Sequence, residues 1–225
     1  MLPQISTPDF ETTIPSTGQK ILFRPFLVRE EKKLLMAMEA GEESTIVRAV
    51  NDILQECIIS DIDVKDLSYF DFEYLFLQLR MKSVGEVVDF GITHTCGHTN
   101  DISLNLEEVK VEGDILTTIQ ITDDIGIQMK YPNVINISKL GNQSVENIIE
   151  LFCDCVVSVY DNEKQYDFER DELKEWIENL PQKNAKQMIN FFTNMPKLSH
   201  TLKYECAGCK EHVEQKLEGL QSFFQ

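Results

Sequence analysis

At 225 residues the chain is long enough for one large domain or two closely packed ones, and for a sizeable buried core. Its 38 acidic against 21 basic side chains give a net charge of −17, and no local Lys/Arg cluster offsets it, which argues against non-specific binding to nucleic-acid phosphates. No N-terminal stretch has the apolar core of a signal peptide, and no run approaches the roughly 18 apolar residues of a membrane span. A cytosolic chain is therefore expected, in which the six cysteines act as metal ligands or core residues rather than in disulfides.

Residues 1–20 carry Pro3, Pro8, Pro15 and Gly18 among Ser and Thr and read as an extended arm. Ile21–Phe26 suits a short strand kept at an edge by Pro25. Leu34, Leu35 and Met38 share one face of a helix from near Val28 to Glu39, stopped at Gly41. Ile46, Val47, Val50, Ile53, Leu54, Cys57 and Ile58 make a single apolar stripe at helical spacing. Ser68 followed by Asp71 resembles a capping box, opening a third helix through Phe72, Leu75, Phe76 and Leu79 that ends near Gly85.

From Val87 the period shortens to two, and four β-rich runs separated by polar turns predict one small, mainly antiparallel sheet extending to Asn142. Helical stripes resume: Val145, Ile148, Ile149, Phe152, Cys153 and Val156, then Leu173, Trp176, Ile177 and Leu180, then Ala185, Met188, Ile189 and Phe192. Pro181 suits the first turn of the last of these helices, and Pro196 lies just past its end. The C-terminal segment returns to strand character with Val213, Gln215 and Leu217. Leu220, Phe223 and Phe224 then follow as an apolar tail, costly to leave in water and suited to docking on a partner.

Two stretches carry metal-ligand chemistry. Cys206-Ala-Gly-Cys209 has the spacing by which two thiolates of one turn grip a single zinc ion, and Cys96-Gly97 closes a matching turn. The strand–turn–strand pattern at 88–106 recurs at 202–217, which reads as a split zinc ribbon with most of the chain between its halves. His94, His98 and His212 are the candidates for the fourth ligand, and His94 is preferred, giving the set His94, Cys96, Cys206 and Cys209 around a structural zinc. The competing reading is two ribbon turns without metal, with Cys96 buried and Cys206 and Cys209 reduced. A thioredoxin-like role for Cys206 and Cys209 would need the motif to open a helix, and here it leads into an alternating strand. Cys57 and Cys153 fall on buried stripes as small core residues. Phosphate-cradling loops, nucleophile elbows and paired catalytic carboxylates are missing from the sequence. The acidic runs at Asp61/Asp63/Asp66 and Asp167/Glu169/Asp171/Glu172 sit where negative charge favours a helix start, so no catalytic residue is assigned and no enzyme is expected.

These features occur in a suggestive order. The opening Ile14-Pro15-Ser16-Thr17-Gly18 through Phe23-Arg24-Pro25-Phe26-Leu27-Val28-Arg29-Glu30-Glu31-Lys32-Lys33-Leu34-Leu35 and the turn Cys96-Gly97-His98-Thr99-Asn100 are two of them. The segment Asp123–Pro132 and the ending Cys206-x-x-Cys209 … Leu217-Glu218-Gly219-Leu220-Gln221-Ser222-Phe223-Phe224 complete the set. Together they resemble the baseplate hub assembly protein family of contractile-tailed, T-even-like phages, over nearly the whole chain. The resemblance implies a virion-morphogenesis protein that helps build the central hub of the tail baseplate. It implies action by binding other hub and tail proteins in the host cytoplasm during assembly, with the finished tail baseplate as a further location. It implies no membrane, nucleic-acid or small-molecule substrate. The family's first ribbon turn usually carries two cysteines, and this chain has only Cys96, which leaves the fourth ligand to a histidine.

The expected architecture is α+β, a helical bundle combined with a small antiparallel β-sheet and a split zinc-ribbon-like element. Its regions are an arm and helices over 1–86, a β-rich region with the first ligand turn over 87–143, helices over 144–200, and the second ligand turn and tail over 201–225, packed as one unit. The functional alternative is a zinc-ribbon nucleic-acid-binding or transcription accessory protein, which would need basic or stacking residues at the ribbon tips. Residues 94–100 hold no Lys or Arg, and 206–212 hold only Lys210.

Overall fold

The computed structural model of the protein describes residues 6–139 and 145–223. In chain order its elements begin with strands β1 (Phe10–Thr13) and β2 (Lys20–Phe23) and helices α1 (Val28–Ala40), α2 (Glu43–Cys57) and α3 (Tyr69–Ser83). Strands β3 (Val87–Thr93), β4 (Thr99–Asn105), β5 (Lys110–Glu112), β6 (Thr118–Gln120) and β7 (Gly126–Met129) come next, then helices α4 (Val134–Lys139) and α5 (Val145–Cys155). Strands β8 (Val156–Tyr160) and β9 (Gln165–Tyr166), helices α6 (Arg170–Glu178) and α7 (Gln182–Thr193), and strands β10 (Lys197–Glu205) and β11 (His212–Glu218) complete the chain. Seven helices and small antiparallel sheets thus make a mixed fold among the described residues.

The strands of the single middle sheet expected from the alternation are divided among three sheets, ordered β3-β4, β11-β10-β5 and β6-β7-β8-β9, and β1-β2 forms a fourth. Alternation fixes which face of each strand is apolar but not its neighbour, and β5 finds its partner in the distant β10. The chain forms two compact units: Met1–Val64, Phe70–Glu112 and Lys197–Gln225 in the first, and Lys65–Tyr69 with Gly113–Pro196 in the second.

In the first unit the expected N-terminal arm is a hairpin. The Pro15–Gly18 turn closes with the Gly18 amide donating to Ile14 O at 2.8 Å, and Gly18 takes φ +71°, a conformation cheap only without a Cβ. Pairing of β1 with β2 buries Ile14 and Ile21, so the turn chemistry read as a loop signal serves a paired edge. Ile21, Phe23, Leu54, Leu75 and Leu79 close around one another, joining β2, α2 and α3. α3 is buried almost all round, from Phe70 to Met81, which is why its sequence is apolar on more than one stripe. A further cluster of Leu77, Met81, Leu104, Leu106, Leu198, Leu202 and Leu217 packs α3 against the β3–β4 and β10–β11 hairpins.

In the second unit the sheet β6-β7-β8-β9 packs against α5, α6 and α7 through Ile127, Met129, Phe152, Val159, Leu173, Ile177, Met188 and Phe191. The helical stripe of α5 was read through Val156, but the backbone turns to strand there without an intervening loop. Both periods place Val156 inside, so only the pairing of β8 with β7 decides between them. The short helix α4 has no sequence signal beyond Asn133, whose side chain accepts from the Asn136 amide at 2.9 Å while Asn136 returns the bond at 3.1 Å.

Cys57, Cys153 and Cys155 are buried in apolar surroundings, and burial pushes all three thiols up, Cys57 to about 11 and Cys155 to about 12. Of the apolar tail, Leu220 packs on the first unit's core. Phe224 and the side chain of Phe223 lie outside what is described.

Candidate functional site

The β3–β4 and β10–β11 hairpins each end in a tight turn, and both belong to the first unit. In the first turn the His94 amide donates to His98 O at 2.9 Å and the Gly97 amide to His94 O at 2.8 Å, with Gly97 at φ +85°. In the second, the Cys206 amide donates to Glu211 O and the Lys210 amide to Cys206 O, both at 2.9 Å. Lys210 takes the left-handed conformation, φ +64°, where a glycine would be unstrained. The two turns press together at Gly208. A Cβ there would lie 2.7 Å from His98 Cβ and 3.5 Å from Cys96 Sγ.

This contact brings His94, Cys96, Cys206 and Cys209 into one cluster, with one ligand atom from each within 4.8 Å of all the others. Cys96 Sγ lies 3.7 Å from Cys206 Sγ, and His94 Nδ1 lies 3.3 Å from Cys96 Sγ and 3.4 Å from Cys209 Sγ. A tetrahedral ion with metal–sulfur bonds of about 2.3 Å and a metal–nitrogen bond of about 2.0 Å sets sulfur–sulfur edges of ~3.8 Å and sulfur–nitrogen edges of ~3.5 Å. The donor set and its spacing therefore fit a metal ion of this kind. His98 and His212 are exposed and stand apart from the cluster. The C-x-x-C turn joins two strands and opens no helix, so the thioredoxin-like arrangement is not present.

Two residues that sequence reasoning missed surround these four. Asn100 is buried at 5% exposure, and its Nδ2 lies 3.6 Å from Cys206 Sγ and 3.4 Å from both Ile92 O and His98 O. Its Oδ1 accepts from the Ala207 amide at 2.8 Å. One amide side chain thus bridges both turns and offers a donor to a sulfur. Glu211 brings a carboxylate oxygen within 3.6 Å of His94 Nε2, the nitrogen facing away from the sulfurs, which is how outer carboxylates orient metal-binding imidazoles. A polar residue inside a ligand turn was the available signal for both, but many such residues are only solvated.

The electrostatics favour a thiolate at the centre. Amides of Cys209 and Gly208, with the Asn100 side chain, hold Cys206 at about 6 against the lesser opposing effect of burial. At Cys209 the Glu211 amide pulls downward, yet burial and the neighbouring Cys96 and Cys206 outweigh it and the net shift is upward. Cys206 carries the first negative charge, and Cys209 resists adding a second without a cation to neutralise it.

The blocks at the two ends of the chain are anchored in the same unit. Glu30, fully buried, accepts from Arg24 Nη2 at 3.0 Å, Arg29 Nε at 2.7 Å and the Leu27 amide at 2.8 Å, fixing the entry to α1. Buried Asp71 of α3 accepts from the Ser16 amide at 2.9 Å, and buried Glu73 from the Leu220 amide at 2.8 Å. The Pro-Ser-Thr-Gly turn and the Glu-Gly-Leu-Gln ending are thus both tied by buried carboxylates to one helix. Comparison with curated proteins and with solved structures gives no match. Comparison with protein families matches residues 7–225 to the family described as T4 bacteriophage base plate protein. That span contains both end blocks, the helix that anchors them and all four residues of the cluster, and over this length the chain belongs to the T4 bacteriophage base plate protein family.

Proposed function

We propose that the chain is a baseplate hub assembly protein, an assembly factor or hub subunit that acts by binding other hub and tail proteins during virion morphogenesis. The observation carrying this reading is the family match across essentially the whole chain, supported by the end blocks, which resemble those of the hub family. Binding rather than catalysis suits the absence of a catalytic constellation in the sequence, and assembly is placed in the host cytoplasm and at the tail baseplate. Among the described residues no helix is long and apolar enough to cross a membrane. The nucleic-acid-binding alternative is not favoured: the lone basic residue of the second turn, Lys210, already lies 3.5 Å from Glu205. Co-expression with the phage's other hub proteins tests the reading by native mass. A stable complex of defined stoichiometry is expected, and a chain that stays free of every hub protein would overturn it.

We further infer that the cluster holds a structural zinc ion through His94 Nδ1 and the sulfurs of Cys96, Cys206 and Cys209. Bound there, zinc supplies no reaction chemistry; it neutralises the thiolates and ties together two hairpins far apart in sequence. Elemental analysis of protein purified without added metal is expected to give one zinc per chain. A folded, metal-free protein would sink the inference.

A further inference from the structure

A groove of about 370 Å³ opens on the second unit, between the sheet and α6. Its walls include Tyr166, Phe168, Leu173 and Trp176, and its polar side chains are two carboxylates, Asp167 and Glu172. Leu173 is buried, Phe168 and Trp176 are half-buried, and Tyr166 is 40% exposed, so the aromatic rings are presented rather than enclosed.

Three observations say what such a groove takes. First, both polar groups on the rim are acidic. Glu172 caps α6 through the Glu169 amide at 3.1 Å, whereas Asp167 carries no salt bridge among the described residues. Second, aromatic faces attract cations, as Lys164 Nζ, 4.6 Å from the Tyr166 ring centre, shows within the chain; that ring is already taken, so an incoming Lys or Arg is left to the two carboxylates. Third, the two-residue β9 is an edge strand, paired among the described residues only with β8, and its Tyr166 leads directly into Asp167 and Phe168 on the rim. A free edge beside side-chain pockets holds the backbone of an extended segment while the pockets read its side chains.

We propose that this groove docks a basic, apolar linear segment of another baseplate protein. An aliphatic or aromatic side chain of that segment seats among Phe168, Leu173 and Trp176, and flanking Lys or Arg side chains meet Asp167 and Glu172. A second copy of this chain is the poorer occupant, because each copy carries a net charge of −17 and like charges oppose. The proposal rests on the baseplate reading for the identity of the partner, but not for the chemistry of the groove.

Trp176 is the only tryptophan of the chain, so intrinsic fluorescence reads the groove directly. The full chain is titrated with a synthetic heptapeptide alternating Lys and Leu, and with its Glu-for-Lys counterpart. The basic peptide is expected to shift Trp176 emission saturably and the acidic one to leave it unchanged. Asp167→Lys, checked for folding by circular dichroism, is expected to raise Kd at least tenfold. An unresponsive Trp176 in folded protein, equal responses to both peptides, or unchanged affinity in Asp167→Lys would overturn the proposal. Emission that moves with protein concentration alone, alongside a doubled native mass, would assign the groove to a second copy instead and equally overturn it. If the chain enters the hub complex but the groove fails these tests, only the groove assignment falls. If the peptide binds and no hub complex forms, the hub reading falls and the groove stands.

Discussion

Cys57 and Cys206 are both fully buried thiols, yet their surroundings give them opposite chemistry. Around Cys57 burial dominates and holds the proton on, so the residue acts as a small apolar side chain. Around Cys206, amides and the Asn100 side chain point at the sulfur and stabilise a thiolate. Replacing Cys57 by Ser places a hydroxyl in an apolar site and is expected to cost about 1–3 kcal/mol. On the zinc proposal Cys206→Ser is expected to cost more, because it would remove a ligand whose binding energy is folding energy. Thermal melts of the two variants decide this, and equal shifts would mean that the hairpins are not clamped by metal. Asn100→Ala strips the Ala207 amide of its acceptor and Cys206 of a donor while leaving all four ligands in place. A loss of about 1–3 kcal/mol is expected, the usual range for orphaning buried polar groups. Chemical denaturation of zinc-loaded protein measures it, and a neutral result would make Asn100 a bystander.

The entry to α1 depends on Glu30. Burial alone pushes this carboxyl up, but hydrogen bonds from Arg29 and Arg24, with the backbone amides of Leu27 and Glu30 itself, outweigh it and hold it at about 2 against an ordinary value of 4.5. Because the folded value is depressed, the stabilisation is fully present above pH 4.5 and drains away as pH falls toward 2. Glu30→Gln is expected to destabilise the protein by roughly 2–4 kcal/mol at neutral pH, since it leaves Arg24 and Arg29 without their carboxylate. The same variant is expected to show a flatter loss of melting temperature between pH 5 and pH 2.5. An acid limb as steep as that of the parent protein would place the pH sensitivity elsewhere. Glu30 lies in the opening block of the chain, within the span matched to the base plate family, and its work here is to lock a helix entrance. The closing block is held in the same manner through Glu73 of α3.

For the whole molecule, the two compact units allow the metal and groove readings to be tested separately. The cluster lies in the first unit and Trp176 in the second. Chelation is expected to lower the thermal transition seen by far-ultraviolet circular dichroism while the Trp176 fluorescence transition stays within a degree or two of its original midpoint. Simultaneous collapse of both signals would show that the second unit draws its stability from the first. A chelator without effect on either would count against a resident metal. The formal charge of −17 adds a general repulsion toward acidic partners, so baseplate proteins that bind this chain are expected to present basic segments.

Much of the fold follows from local pattern alone. The stripe from Ile46 to Ile58 specifies α2, Gly41 ends α1 in the left-handed conformation, and Pro181 and Pro196 bracket α7, because helical period, capping and proline geometry act within a few residues. The Cys-x-x-Cys turn and the lone Cys96 were likewise legible as members of one Cys/His cluster that could hold a metal ion. Partnership was not legible, since alternation in β5 or β8 says which side is apolar and not which strand lies beside it. The same limit held for the site. The sequence prefers His94 over His98 and His212, but what brings it to the three cysteines is how two hairpins meet at Gly208, a contact set by packing between segments more than a hundred residues apart. Asn100, Glu30 and Glu73 look like ordinary polar residues in the sequence. Only the tertiary structure buries them, and burial is what makes their hydrogen bonds specific and costly to lose.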